Sequence, residues 1–212
     1  MNNFSFNGDV QHKNMLQARL EETERFGGTR VIPLFKIDGM PKSIHILFGR
    51  LIEGADLQQE EVNEYHKKYI DVVHVDVDLA NVPYQFLLWE MSLLESHTAD
   101  CSRTRSHVQN AKDLFGMHIN QDYITKQDCE NMRGYESHEM EYSASSAVFF
   151  AFTNMESSLA QSSYHAGRHI SKKITDDAML DDKSEYIKRR KAQMVTYNRQ
   201  ALTALLQILA KA

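Results

Sequence analysis

The chain has 212 residues, a charged fraction of 25% and a formal net charge of −5. That length can bury a hydrophobic core without disulfide or metal staples, and that charge excludes the broadly basic surface of a protein that binds nucleic acid over its whole face. Only nine glycines and three prolines occur, which favours long helices over a strand-and-turn fold.

Cys101 and Cys129 form neither a disulfide framework nor a CxxC zinc pair, and free thiols suit a reducing cytosol. The segment Met1–Phe6 has no basic region leading into an apolar run, and no stretch of about 18 apolar residues follows anywhere. Neither a secretory leader nor a membrane span is therefore expected, and the expected location is cytoplasmic.

In chain order, Asp9 is placed to cap a helix that reaches Phe26 and stops at Gly27-Gly28. Val31, Ile32, Leu34 and Phe35, with Pro33 among them, read as an edge strand or extended segment. Residues 43–53 carry two patterns. Ile44, Leu47, Phe48, Leu51 and Ile52 match helical spacing, whereas Ile44, Ile46 and Phe48 alternate as in a strand. Helix is favoured, with Ser43 as cap and Gly54 as stop. Asp56 opens a further helix to Ile70, acidic at its start and basic at its end. Asp71–Leu79 alternates valines with His74, Asp76 and Asp78, the pattern of a half-exposed strand.

Beyond Pro83 the pattern predicts three long helices, Tyr84–Phe115, Tyr135–Ala166 and Lys183–Ala210, with Gly116 and Gly167 as stops and Lys172–Asp182 as a loop. Helices of this kind would be roughly 45 Å long. The first is expected to be buried nearly all round in its first half, because Phe86, Leu88, Trp89 and Leu93 lie outside its main stripe. The second is rich in small residues, among them Ser143, Ala144, Ser158, Ser162 and Ser163, which permit close helix approach. The fold class expected is mainly α: a bundle of three long helices over 83–212 and a small mixed α/β portion over 1–82.

Four groups of residues are candidates for chemistry. His74, Asp76 and Asp78 share one face of the expected strand and form a candidate metal site for a hydrolase. Glu90, Glu95, Glu136, Glu139 and Glu156 sit on long helices, but no Glu-x-x-His accompanies them, so the di-metal bundle pattern is incomplete. For Glu90 and Glu156 a neighbouring arginine or solvent is the expected partner. His165 and His169 share a helical spacing without a carboxylate on the same turn. Lys188, Arg189, Arg190 and Lys191 form a local basic cluster able to neutralise phosphates. On a helix these four cations point in different directions, and Asp181, Asp182 and Glu185 lie nearby to offset them.

Arg133-Gly134-Tyr135-Glu136-Ser137-His138, at the start of a helix and ahead of the apolar run Ser146–Phe152, resembles the Arg-x4–6-His motif of the HEPN ribonucleases. The resemblance covers about a quarter of the chain. It implies a helical ribonuclease with Arg133 and His138 acting on the phosphodiester. Gly134 departs from the polar residue that often follows the arginine in that family.

Walker, Gly-x-Gly-x-x-Gly, Gly-x-Ser-x-Gly and His-Glu-x-x-His motifs are absent, so nucleotide-driven and serine-hydrolase chemistry have no motif support. No cofactor is expected. The leading expectation is a non-enzymatic interaction or assembly protein that uses long helices to bind itself or a protein partner. The ribonuclease, the nucleic-acid-binding subunit and the metal-dependent hydrolase are its alternatives.

Overall fold

The computed structural model describes residues 41–72, 79–97, 102–120, 125, 127, 144, 156–180 and 182–212. Among the described residues the regular elements are all helices: α1 (Lys42–Gly54), α2 (Gln59–Val72), α3 (Val82–Ser96), α4 (Ser102–Ile119), α5 (Glu156–Asp176) and α6 (Lys183–Leu209). The chain is mainly α. The segments expected as the first helix and the edge strand, residues 9–36, lie outside the described residues.

The ambiguous segment is α1. Ile44, Leu47, Phe48, Leu51 and Ile52 are all buried, the stripe that only the 3.6-residue period brings together. Pro41 rather than Ser43 occupies the cap position, and Gly54 is the last helical residue. Asp56 then takes a left-handed backbone (φ 48°) and turns the chain. It is not the cap of α2. At that helix start the Glu61 carboxylate accepts the Gln58 backbone N–H at 2.9 Å, half of a capping box.

Val62, His66 and Tyr69 form the narrow buried stripe of α2. The Tyr69 ring stacks on Phe48 with centroids 4.2 Å apart. Asp71 and Val72 close this helix, so the strand expected over Asp71–Leu79 does not start there. Residues 73–78 lie outside the described residues.

The helix expected over Tyr84–Phe115 is two helices. α3 ends at Ser96, whose hydroxyl turns back to the Leu93 carbonyl at 2.6 Å, a side-chain bond that competes with helix continuation. α4 packs back on α3, and Lys112 Nζ reaches Glu95 at 2.6 Å. In one straight helix those two residues would be about 25 Å apart. Folding back places Val108, Ala111 and Phe115 in the same core as Phe86, Leu87, Met91 and Leu94. α4 also runs through Gly116 to Ile119, because a helical glycine is tolerated where nothing else ends the helix.

α5 likewise continues through Gly167 to Asp176, taking in part of the loop expected from Lys172. Gly167 is a point of close approach and not a stop. A Cβ there would lie 2.5 Å from the Tyr197 ring and 2.9 Å from the Met194 sulfur. Residues 135–155 of the expected second helix, apart from Ala144, lie outside the described residues.

α6 begins where expected. Its N-cap Asp182 accepts the backbone N–H groups of Ser184 and Glu185. Asp176 meets Tyr186, Gly167 meets Met194, and Ser163 meets Tyr197. Residue numbers fall on α5 as they rise on α6, so the two helices are antiparallel. α1, α2 and α3 all pack on α6. Its second half, from Tyr197 to Leu209, is therefore the centre of the core, with Tyr197, Ala201, Leu202, Leu205 and Leu209 buried. Its first half is mostly exposed.

Candidate functional site

Glu90 interrupts an apolar run, Phe86-Leu87-Leu88-Trp89-Glu90-Met91, and lies on the face of α3 that meets α5 and α6. It is fully buried. The Tyr197 hydroxyl donates to its Oε1 at 2.8 Å, and the Ser162 hydroxyl donates to Oε2. Ser163 Oγ lies 3.0 Å from Tyr197 Oη and extends the chain of hydroxyls. Among the described residues no arginine meets this carboxylate, and it is shut off from solvent, contrary to expectation.

Loss of water pushes the Glu90 carboxyl up to about 7, and the hydroxyl hydrogen bonds only partly oppose this. Burial, followed by the Glu90 carboxylate, pushes the Tyr197 phenol well above its usual range. The serines supply hydroxyls at little volume, so α5 comes close enough for both to reach the acid cluster.

Next to this cluster, α1, α5 and α6 enclose an open groove of about 790 Å³. Its apolar wall includes Leu47, Leu51, Met194 and Val195, and its polar lining includes Ser163 and Asn198, the cations Arg50 and Lys191 and the acids Glu53 and Asp56. The volume falls in the roughly 300–1,000 Å³ range of small-molecule sites. Ser163 belongs both to this lining and to the hydroxyl chain that ends on Glu90.

The far end of the groove is braced by α6. Asn198 Nδ2 donates to the Gly54 carbonyl at 3.0 Å and to the Met194 carbonyl at 2.9 Å. Arg199 donates to the Ala55 carbonyl at 3.0 Å and to Glu61 at 3.0 Å. A cation and an amide thus satisfy carbonyls left open at the C-terminus of α1, where the helix dipole favours positive charge.

The sequence candidates fall elsewhere. His74, Asp76 and Asp78 lie outside the described residues, as do Arg133 and His138, and so do Cys101 and Cys129. Among the described residues no three His, Cys, Asp or Glu side chains cluster to hold a metal ion. Lys188, Arg189, Arg190 and Lys191 sit on the outlying first half of α6, and among the described residues none is ion-paired. Asp182, expected to offset them, serves as the helix cap. His165 and His169 share one uninterrupted helix, α5.

The structure brings together Glu90, Ser162, Ser163 and Tyr197, a set that sequence reasoning did not assemble. The available signal was a single acid in an apolar run, paired with a helix unusually rich in serine. No helix among the described residues is long and apolar enough to cross a membrane.

No protein-family model, curated protein or solved structure matches the chain.

Proposed function

We propose that the protein is a non-enzymatic, cytoplasmic assembly protein that associates with a second copy of itself through the outlying first half of α6. The carrying observation is the character of that half-helix. Residues Lys183–Lys191 are mostly exposed, Ile187 is 57% exposed, and Met179 at the same end of the α5–α6 hairpin is 87% exposed. Four cations follow Ile187 without an ion-pair partner among the described residues.

The same chain carries exposed acids on α2, Glu60 and Glu64, of which Glu64 already pairs with Lys68 at 2.6 Å, and its net charge is negative. A basic tip on one copy and the acidic first turn of α2 on another are complementary. Reciprocal use of both patches closes a symmetric dimer, which leaves no patch open to propagate a fibre. Exposed apolar residues beside the charges supply the area term that ion pairs at a surface lack.

Light scattering across a concentration series tests this. The expected result is a mass rising above the 24.5 kDa monomer, with the rise reduced by salt and by Ile187→Glu. A monomer at every concentration overturns it. So does an oligomer indifferent both to salt and to Ile187→Glu. Salt-sensitive binding of RNA by a strictly monomeric chain would move the basic cluster to the nucleic-acid reading instead.

A further inference from the structure

We propose that the groove between α1, α5 and α6 is a binding site for a small amphipathic anion, and that binding is coupled to a proton on Glu90 through the Tyr197 and Ser163 hydroxyls. This inference does not rest on self-association, although Lys191 is shared with the basic tip, so the titration is made at a concentration where the chain is monomeric.

The apolar part of the ligand is set by Leu47, Leu51, Met194 and Val195, and the charge of its head by Lys191. The other cation of the lining, Arg50, already faces Glu53 at 3.3 Å, and Asp56 has a partner of its own. Lys191 is exposed and, among the described residues, not ion-paired. It is the uncommitted charge of the groove.

The coupling follows from counting hydrogens. A phenol has one hydrogen, and Tyr197 gives it to Glu90. In the 3.0 Å contact between Ser163 and Tyr197, the serine hydrogen is then the one turned towards the acid, to Tyr197 or to Glu90 itself. With Glu90 ionised, the Ser163 oxygen offers the groove lone pairs only, which repel an anion.

A proton on Glu90 Oε1 reverses the chain. The carboxyl donates to Tyr197 Oη, the phenol donates to Ser163 Oγ, and the serine hydrogen is released towards the groove. An anionic head accepts it. A proton on Oε2 would serve Ser162 only, so the anion selects the first arrangement. Each anion bound thereby favours one proton taken up, and the buried negative charge nearest the groove is removed at the same time.

Among the described residues the groups facing Glu90 are few. α5 contributes Ser162 and Ser163, and α6 contributes Tyr197. On α4, which also packs on α3, Lys112 is committed to Glu95. Among the described residues no charged side chain acts on the Glu90 carboxyl. Its burial places the titration at about 7, and affinity that requires the protonated form falls about tenfold between roughly pH 6 and roughly pH 8.

The test is calorimetric titration of the full chain with decanoate, whose own carboxylate stays ionised across that range. Binding that weakens about tenfold from the lower to the higher pH is the expected result for the native protein. Lys191→Glu is expected to weaken it at least about tenfold at both pH values, and Glu90→Gln is expected to make it independent of pH. If Glu90→Gln does not fold, Ser163→Ala replaces it, with the same loss of pH dependence. No decanoate binding by the folded native protein overturns the proposal. Binding indifferent to Lys191→Glu, or a pH slope that survives the loss of Glu90 or of Ser163, overturns it equally.

Discussion

The Tyr197 hydroxyl donates to the Glu90 carboxylate at 2.8 Å, tying together residues 107 positions apart. Both are buried, so neither can turn to water instead. Tyr197→Phe keeps the ring and removes the donor. It is expected to lower stability by about 1–3 kcal/mol, the cost of leaving a buried acceptor unsatisfied. Urea unfolding of the two proteins measures the difference. A change under about 0.5 kcal/mol would show that the bond contributes nothing net.

The same acid makes stability depend on pH. Its folded-state pKa, about 7, lies above the ordinary carboxyl value of 4.5. Between those two values the native state binds more protons than the unfolded chain, so this group's contribution falls as pH rises through the window and then levels off. The full span corresponds to about 3 kcal/mol. Chemical denaturation at several pH values, compared between native protein and Glu90→Gln, isolates it. Parallel curves for the two would refute the assignment.

His66 acts in the opposite sense. It is buried beside Phe48, with ring centroids 5.6 Å apart, and loss of water pulls its pKa down from 6.5 to about 4. Within that window the unfolded chain binds more protons, so stability is lost as pH falls, again by about 3 kcal/mol over the full span. The windows of Glu90 and His66 overlap with opposite slopes. The native protein is expected to be nearly flat there. Glu90→Gln should expose a rising slope and His66→Leu a falling one. Two variants with the same slope would contradict this.

Gly167→Ala is expected to destabilise by about 1–3 kcal/mol, although alanine is the better helix former by roughly 1 kcal/mol. The added Cβ would lie 2.5 Å from the Tyr197 ring, and that ring is held by Glu90 and Ser163. Gly116→Ala is the control. Among the described residues nothing outside the helix's own backbone lies within 4 Å of a Cβ at that position, so there the propensity gain stands alone and the melting temperature should rise. Equal shifts in both variants would show that close packing does not explain Gly167.

Local patterns were legible where one face of one helix decides the outcome. The helical stripe of residues 44–52 is α1, and the last helix starts at Lys183 as expected. Of the residues from which burial nearly all round was anticipated for the first half of this helix, Phe86 is buried, whereas Leu88, Trp89 and Leu93 are only partly buried. Glycines were misleading as stops. Gly116 and Gly167 both lie inside helices, since what glycine does there depends on the neighbour that approaches it. The turn after Ser96 carries no glycine or proline at all, and only the packing of α4 on α3 reveals it.

The candidate site was legible in its parts and not in its assembly. Glu90 was singled out only as one of five glutamates on long helices, and the serines of α5 as part of a small-residue helix. Their meeting depends on contacts spanning 72 and 107 positions, which no local period encodes.

By itself, then, the sequence determined a helical chain: few breakers and apolar stripes at helical spacing, both consequences of hydrogen bonds and side-chain periods local to each segment. Only the tertiary structure decided where helices fold back, which glycine admits a neighbour, and which acid is stripped of water. Those outcomes depend on what surrounds a residue in space. Desolvation and close packing act between segments and leave no signature within either one.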